Sequence, residues 1–267
     1  MIAYKSIGYN GRLGNQLFQI ASTIGIAIEN GHDFCFNNSE IFNFIPNLKK
    51  FCTDNFDDFR YSYNENDFCY KKIQIEKDKN VILSGYFQSA KYFENNKQIV
   101  LDLMHIKNNL FDSYKQEFTN LKTCSLHIRR GDYIYANLNN PLNPHPLAAL
   151  EYYNNAIDII NADKYIVFSD DIDWCKQAFK GDKFYFFDSG EKYKNNMNYD
   201  LFELQVMSSF KNNIIANSSF SWWAAYLNNN KDKTVIAPKI WFGEEYCKTI
   251  SKNKIMDSLI PFEWILI

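Results

Sequence analysis

The sequence predicts an α/β protein built on parallel sheets, and three observations carry that expectation. The chain opens as strand, glycine loop and helix: Ile2 to Ile7, then Gly8 to Gly14, then the helical spacing of Leu17, Phe18, Ile20, Ala21 and Ile24. Beyond His127, short apolar runs alternate with amphipathic stretches, as they do where crossover helices join parallel strands. The 267 residues suffice for two modest domains of roughly 100–200 residues each.

In chain order, the opening strand, glycine loop and helix form a nucleotide-binding-like half. Residues 30–80 mix aromatics, Asn and Asp without long periodic runs, which predicts short elements and loops. Val81 to Tyr86 has strand character, and residues 91–120 read as helical with one polar face, connecting two halves. Cys124-Ser125-Leu126 is the end of a buried strand. Pro141 to Pro146 is a turn-rich loop, Leu147 to Asn161 a helix, and Tyr165 to Phe168 a strand ending in Ser169-Asp170-Asp171. A short helix, a strand Phe184 to Phe187 and a helix Asp200 to Phe210 follow. Asn213 to Ala216 is a strand, Phe220 opens a helix, and Thr234 to Pro238 closes the series. Ligands of open parallel sheets bind beyond the carboxyl ends of the strands, so functional groups are expected at His127, Asp170 and Ser218.

Composition narrows the function. A chain that is 46% hydrophobic builds a sizeable core and is not wholesale disordered. The 23 Phe and 18 Tyr suit apolar interfaces and flat sugar-binding surfaces alike. A net charge of −2 gives no whole-chain basic field for nucleic acid or anionic lipid, so any anion site is local. Cysteines 35, 52, 69, 124, 175 and 247 stand singly, without C-x-x-C or zinc-finger spacing, as in a reduced cytoplasmic protein. The N-terminus lacks a signal-peptide layout, and no apolar stretch approaches the ~20 residues of a membrane span.

Four segments carry chemistry. In His127-Ile128-Arg129-Arg130-Gly131-Asp132-Tyr133 two arginines sit at a strand end. Guanidinium forks match phosphate oxygens, so the pair reads as a diphosphate clamp or, equally, as a solvated turn. Gly11-Arg12-Leu13-Gly14-Asn15-Gln16 is neither a dinucleotide fingerprint nor a P-loop. By itself it is first a glycine turn with an Asn cap, and second a backbone that can approach a ligand, with Arg12, Asn15 and Gln16 as polar contacts. Asp170-Asp171-Ile172-Asp173 reads as helix-capping carboxylates, as a guanine reader, or, less favoured, as a metal-binding D-x-D. Asn217-Ser218-Ser219-Phe220-Ser221-Trp222-Trp223 puts hydroxyls and free N–H groups at a helix start, where capping and anion binding use the same groups, and its tryptophans read as core.

Taken together, Gly11 to Gln19, His127 to Tyr133, Phe168 to Asp171 and Ser218 to Ala225 resemble the motif set of bacterial α-1,2-fucosyltransferases, glycosyltransferase family 11. Gly85-Tyr86-Phe87-Gln88 with Tyr92-Phe93, and Tyr152-Tyr153 with Ala156, fit as well, in family order from residue 8 to about 225. The resemblance implies a GT-B type α/β fold, two Rossmann-like domains with a cleft between them. Residues 1–115 would form the acceptor-side domain and 116–267 the GDP-sugar-binding domain, the last residues packing back on the first. It implies transfer of L-fucose from GDP-β-L-fucose to the 2-hydroxyl of a terminal galactose, with inversion and no metal or cofactor. The acceptor would be a glycan of the surface-polysaccharide or O-antigen type. The implied partners are GDP-fucose and that galactose-terminated acceptor, with no nucleic acid and at most peripheral contact with a lipid-linked acceptor at the inner membrane.

Carried onto this chain, the resemblance places His127 at guanine or ribose, Arg129 at the β-phosphate with Arg130 in support, and Ser218, Ser219 and Phe220 around phosphate. Asp170 or Asp171 would read guanine. Arg12 and Asn15 would lie near the transferring sugar, with Gln16 on the acceptor side. A base for the acceptor hydroxyl is sought first at Asp132, which could instead orient an arginine, then at His145 or Glu203. Rival readings are an α-1,6 or O-fucosyl type and, in another class, a non-catalytic carbohydrate-binding module.

Overall fold

The computed structural model describes residues 1–114, 117–118, 120–139, 145–187, 196–244, 246–248 and 252–267. Residues 141–144 of the expected proline-rich loop lie outside the described residues. The chain divides into two compact units, Met1–Asn109 with Asn253–Pro261, and Leu110–Lys252 with Phe262–Ile267.

In the first unit, strands β1 (Ile2–Tyr4), β2 (Phe34–Phe36), β3 (Tyr61–Asn64) and β4 (Val81–Ser84) form a parallel sheet in the order β2-β1-β4-β3. Strand β1 is fully buried, as a central parallel strand must be. It is shorter than its sequence predicts. Ile7 leaves the ladder because the Asn37 side chain serves its backbone, accepting from Ile7 N at 2.8 Å and donating to Ile7 O at 3.0 Å. Helix α1 (Leu13–Asn30) begins after Arg12, two residues ahead of the expected Asn cap. It ends at Gly31, whose φ of 66° suits a left-handed C-cap and whose N–H reaches the carbonyls of Ala27 and Ile28.

Helix α1 is buried almost throughout from Leu13 to Ala27, so its polar groups must find partners. Gln19 Nε2 donates to Asn10 O at 3.0 Å and Ser22 Oγ to Phe87 O at 2.9 Å, fastening the loops after β1 and β4 to the helix. The expected helical stretch 91–120 is instead broken. Short 3₁₀ turns precede α2 (Lys97–Leu103) and α3 (Asn109–Asp112). The asparagine pairs at 95–96 and 108–109, a residue type of low helix propensity, fall at the breaks.

The second unit has strands β5 (Thr123–Ile128), β6 (Lys164–Ser169), β7 (Phe184–Phe186), β8 (Asn212–Ile214), β9 (Val235–Ala237) and β10 (Ile265–Leu266). All pair parallel, in the order β10-β9-β8-β5-β6-β7. Helices α4 (Gly131–Asn139), α5 (Leu150–Ile160), α6 (Ile172–Ala178), α7 (Met197–Ser208) and α8 (Ser219–Leu227) lie between strands in sequence. The buried core joins Cys124, Leu126 and Ile128 of β5 to Tyr153, Ala156 and Ile160 of α5 and to Val167 of β6. Trp222 and Trp223 are fully buried, so the tryptophans of α8 are core.

Helix α9 (Lys252–Leu259) enters the first unit, where Ser258 Oγ accepts from Tyr70 N at 2.9 Å and Ser258 O from Ser89 Oγ. The six cysteines are free thiols. No helix among the described residues is long and apolar enough to cross a membrane.

Candidate functional site

From β5 the chain of the second unit runs to β6 and β7 on one side and returns through β8 to β9 and β10 on the other. The order reverses between β5 and β8, and the crevice beyond such a reversal is where open parallel sheets hold ligands. The residues after β5 include Arg129 and Arg130, and those after β8 include Asn217 and Ser218.

Register brings the charges together. Ile128 pairs with Ser169, so Arg129 and Arg130 follow β5 alongside Asp170 and Asp171 following β6. Arg129 Nη1 lies 2.8 Å from Asp170 Oδ2 and its Nη2 2.7 Å from Asp132 Oδ1. Asp170 Oδ1 accepts from the N–H groups of Arg130 at 2.9 Å and Gly131 at 3.1 Å. A Cβ on residue 131 would stand 2.7 Å from Asp170 Oδ2, so glycine permits this close packing. Arg130 Nε donates to Asp171 Oδ2 at 2.9 Å, and its guanidinium lies 3.9 Å from the centre of the Trp174 ring. Asp171 Oδ1 in turn caps α6 by accepting from Trp174 N at 3.3 Å. Both oxygens of Asp170 and of Asp171 are thus engaged, in aligning arginines and capping a helix.

A guanidinium carries five donors. These ion pairs use two on Arg129 and one on Arg130, so forks remain for an incoming anion. Among the described residues no group of three or more His, Cys, Asp and Glu is placed to hold a metal ion.

His127 is 5% exposed with its ring against Phe220 at 5.7 Å. Its Nδ1 is buried and has no hydrogen-bond partner among the described residues. Burial above all, then the Arg129 charge, pushes its pKa down to about 3 against the pull of Asp170, so the imidazole is neutral at pH 7. A buried orphan nitrogen is the kind of group a ligand satisfies. Across the crevice, Ser218 occupies the N-cap of α8 without making a side-chain capping bond. Ser219 and Phe220 open the helix, where backbone N–H groups point outward.

Tyr133 links the two sides: its hydroxyl donates to Asn217 O at 3.1 Å, Arg129 lies 5.5 Å from its ring centre, and His145 stacks on it at 5.1 Å. His145 also meets Phe242, and burial holds its pKa below the ordinary value, with Asp132 opposing. Asp132 itself is 47% exposed and paired with Arg129, so the arginine-orienting role is the one observed. On α7, burial raises the Glu203 carboxyl to about 8, with Asp200 and Asp170 adding to the effect.

The remaining candidates belong to the first unit. Arg12 is the extended N-cap residue of α1. Asn15 Oδ1 accepts from Gln88 Nε2 at 2.8 Å, and Gln16 is 5% exposed. Trp174 against Arg130 and Tyr133 between Arg129 and His145 are contacts that strand-end charge alone does not reveal. The aromatic spacing after each strand end was the available signal.

Glycosyl transferase family 11 matches residues 3–266. The chain is 34% identical over 206 residues to the O-antigen biosynthesis glycosyltransferase WbnK of Escherichia coli, covering 71% of this chain and 62% of that protein. It is 35% identical over 183 residues to an α-1,2-colitosyltransferase of Escherichia coli, covering 66% and 61%. The chain therefore spans about three fifths of the length of these curated relatives. The fold resembles that of fucosyltransferase NodZ from Bradyrhizobium, with a TM-score of 0.55 at 13% identity, over 84% of this chain and 93% of that one. NodZ has also been solved as an α-1,6-fucosyltransferase soaked with GDP-fucose, and the likeness is of fold alone. Two parallel α/β sheets of the GT-B-like kind and a family match across nearly the whole length place this chain in glycosyl transferase family 11.

Proposed function

We propose that the chain transfers L-fucose from GDP-β-L-fucose to the 2-hydroxyl of a terminal galactose, inverting the anomeric centre and using no metal. The observation that carries this reading is the pair of carboxylate-aligned arginine forks facing an uncapped serine helix start across the β5/β8 reversal. Breaking a fucosyl–phosphate bond leaves negative charge on GDP. Donors already fixed around that charge stabilise it without reorganising, and one such contact is worth about 2.7–4 kcal/mol, or 10²–10³ in rate. Arg129 holds the β-phosphate, Arg130 supports it, and Ser218, Ser219 and the N–H of Phe220 take the remaining oxygens.

The guanine edge presents an N1–H and an amine, which a carboxyl can accept. Asp171, each of whose oxygens accepts one bond, keeps acceptor capacity for that edge, with neutral His127 beside base or ribose. Diphosphate takes the Arg129 donors that the two ion pairs leave open, and Asp132 beside them is the base for the acceptor hydroxyl, with His145 as the alternative. The second unit holds the donor and the first the acceptor. The colitosyltransferase relative supports a second reading, in which the transferred sugar is colitose.

The test is incubation with GDP-fucose and methyl β-galactoside in excess EDTA, followed by linkage analysis. An α-1,2-linked disaccharide is the expected product. A strict Mn²⁺ or Mg²⁺ requirement, or another linkage, contradicts the reading, and turnover only with a colitosyl donor selects the second one.

A further inference from the structure

The first unit has a reversal of its own. From β1 the chain steps to β2 on one side and returns through β3 and β4 on the other, so strand order switches between β1 and β4. The segment after β4 is Gly85-Tyr86-Phe87-Gln88, which the donor chemistry leaves unused. Its backbone is strained: φ is 148° at Gly85 and 50° at the buried, non-glycine Phe87.

Glu65, just past β3, imposes that shape. Its Oε2 accepts from both Tyr86 N at 2.7 Å and Phe87 N at 2.8 Å. A Cβ on residue 85 would stand 2.4 Å from Glu65 Cβ, so only glycine fits. Tyr4 OH holds Gly85 O at 2.6 Å, and Gln88 Nε2 bonds Asn15 Oδ1 at 2.8 Å. The turn throws Tyr86 outward, 36% exposed, with its ring parallel to Phe68 at 5.7 Å and 9°. Glu65 Oε1 makes no hydrogen bond among the described residues. Two backbone N–H groups do not demand a carboxylate, since an amide oxygen would serve them. Burial raises this carboxyl to about 7 although the backbone bonds oppose the shift, so it can accept from a hydroxyl or donate to one.

We propose that this edge is a neutral-sugar subsite, in which a pyranose lays its apolar face on the Tyr86 ring and its hydroxyls bond to Glu65 Oε1 and the Gln88–Asn15 amide pair. Flat aromatic surface beside a carboxylate suits a ligand with one C–H face and a rim of hydroxyls. The subsite rests on the proposed function in that the sugar it takes is the acceptor's.

The experiment measures methyl β-galactoside binding by saturation-transfer NMR and GDP binding by calorimetry, in wild type, Glu65→Gln and Tyr86→Leu. Gln keeps an oxygen for the two N–H groups, and Leu keeps apolar bulk without a flat ring. Each variant is expected to weaken galactoside binding about tenfold while GDP affinity stays within about twofold. Wild-type galactoside affinity in both folded variants overturns the subsite, as does a wild type that binds GDP but no galactoside. If Glu65→Gln fails to fold, Tyr86→Leu and Phe68→Leu decide by the same measure. Absence of GDP binding sinks the proposed function instead, leaving the galactoside result to judge the subsite.

Discussion

Glu203 carries a cost that the protein accepts without evident structural return, because burial raises its carboxyl to about 8. Between the ordinary carboxylate range and that value the folded state binds more protons than the unfolded one. Stability therefore falls as pH rises through this window. Glu203→Gln is expected to melt at the same temperature as wild type at pH 4 and higher at pH 8.5, on the order of 2–4 °C for each kcal/mol regained. A variant less stable at both pH values would show that the carboxylate is structurally paired. At this scale the placing of Arg129 and Arg130 at the end of β5 was legible in sequence, because permanent charge at the end of an apolar strand is conspicuous. The capping of α6 by Asp171 was legible too, but the pairing of Asp170 and Asp171 with the arginines was not, because cross-strand register decides which charges meet. Trp174 was hidden for the same reason, its contact with Arg130 spanning two strand ends.

Among the elements, α1 shows where propensity and packing oppose each other. Gly25 sits inside the helix, where alanine is intrinsically better by roughly 1 kcal/mol. A Cβ there would stand 2.3 Å from Tyr92 O and 2.6 Å from Phe93 Cα, both backbone atoms that cannot swing aside. Overpacking of this kind costs about 1–3 kcal/mol. Gly25→Ala is therefore expected to lower the thermal midpoint despite its helix propensity, and a rise would mean that the 90–93 segment yields freely. The long periodic elements were legible: α1, β5, α5, β6 and α8 fall where the hydrophobic pattern places them, within a few residues. The broken 91–112 segment was not, because its helical pattern ignores the low helix propensity of paired asparagines. Residues 30–80 read as short elements, and their strands are indeed only three or four residues long.

The whole molecule repeats one device: a parallel sheet whose strand order reverses, with charged or aromatic groups at the reversal. The alternation of strands and helices made this class of fold legible, whereas strand order, which selects the crevice, emerges only from long-range pairing. In the proposed reaction, donor binding depends on fixed arginine charge receiving the diphosphate. The most direct test is calorimetric titration of GDP in excess EDTA into wild type, Arg129→Lys and Arg129→Ala, with circular dichroism as the check on folding. Wild type is expected to bind. Arg129→Ala, which loses two charge-assisted bonds and strands Asp132 and Asp170, should bind on the order of 100-fold more weakly, with Arg129→Lys between them. Equal GDP affinity in a folded Arg129→Ala protein would contradict the account.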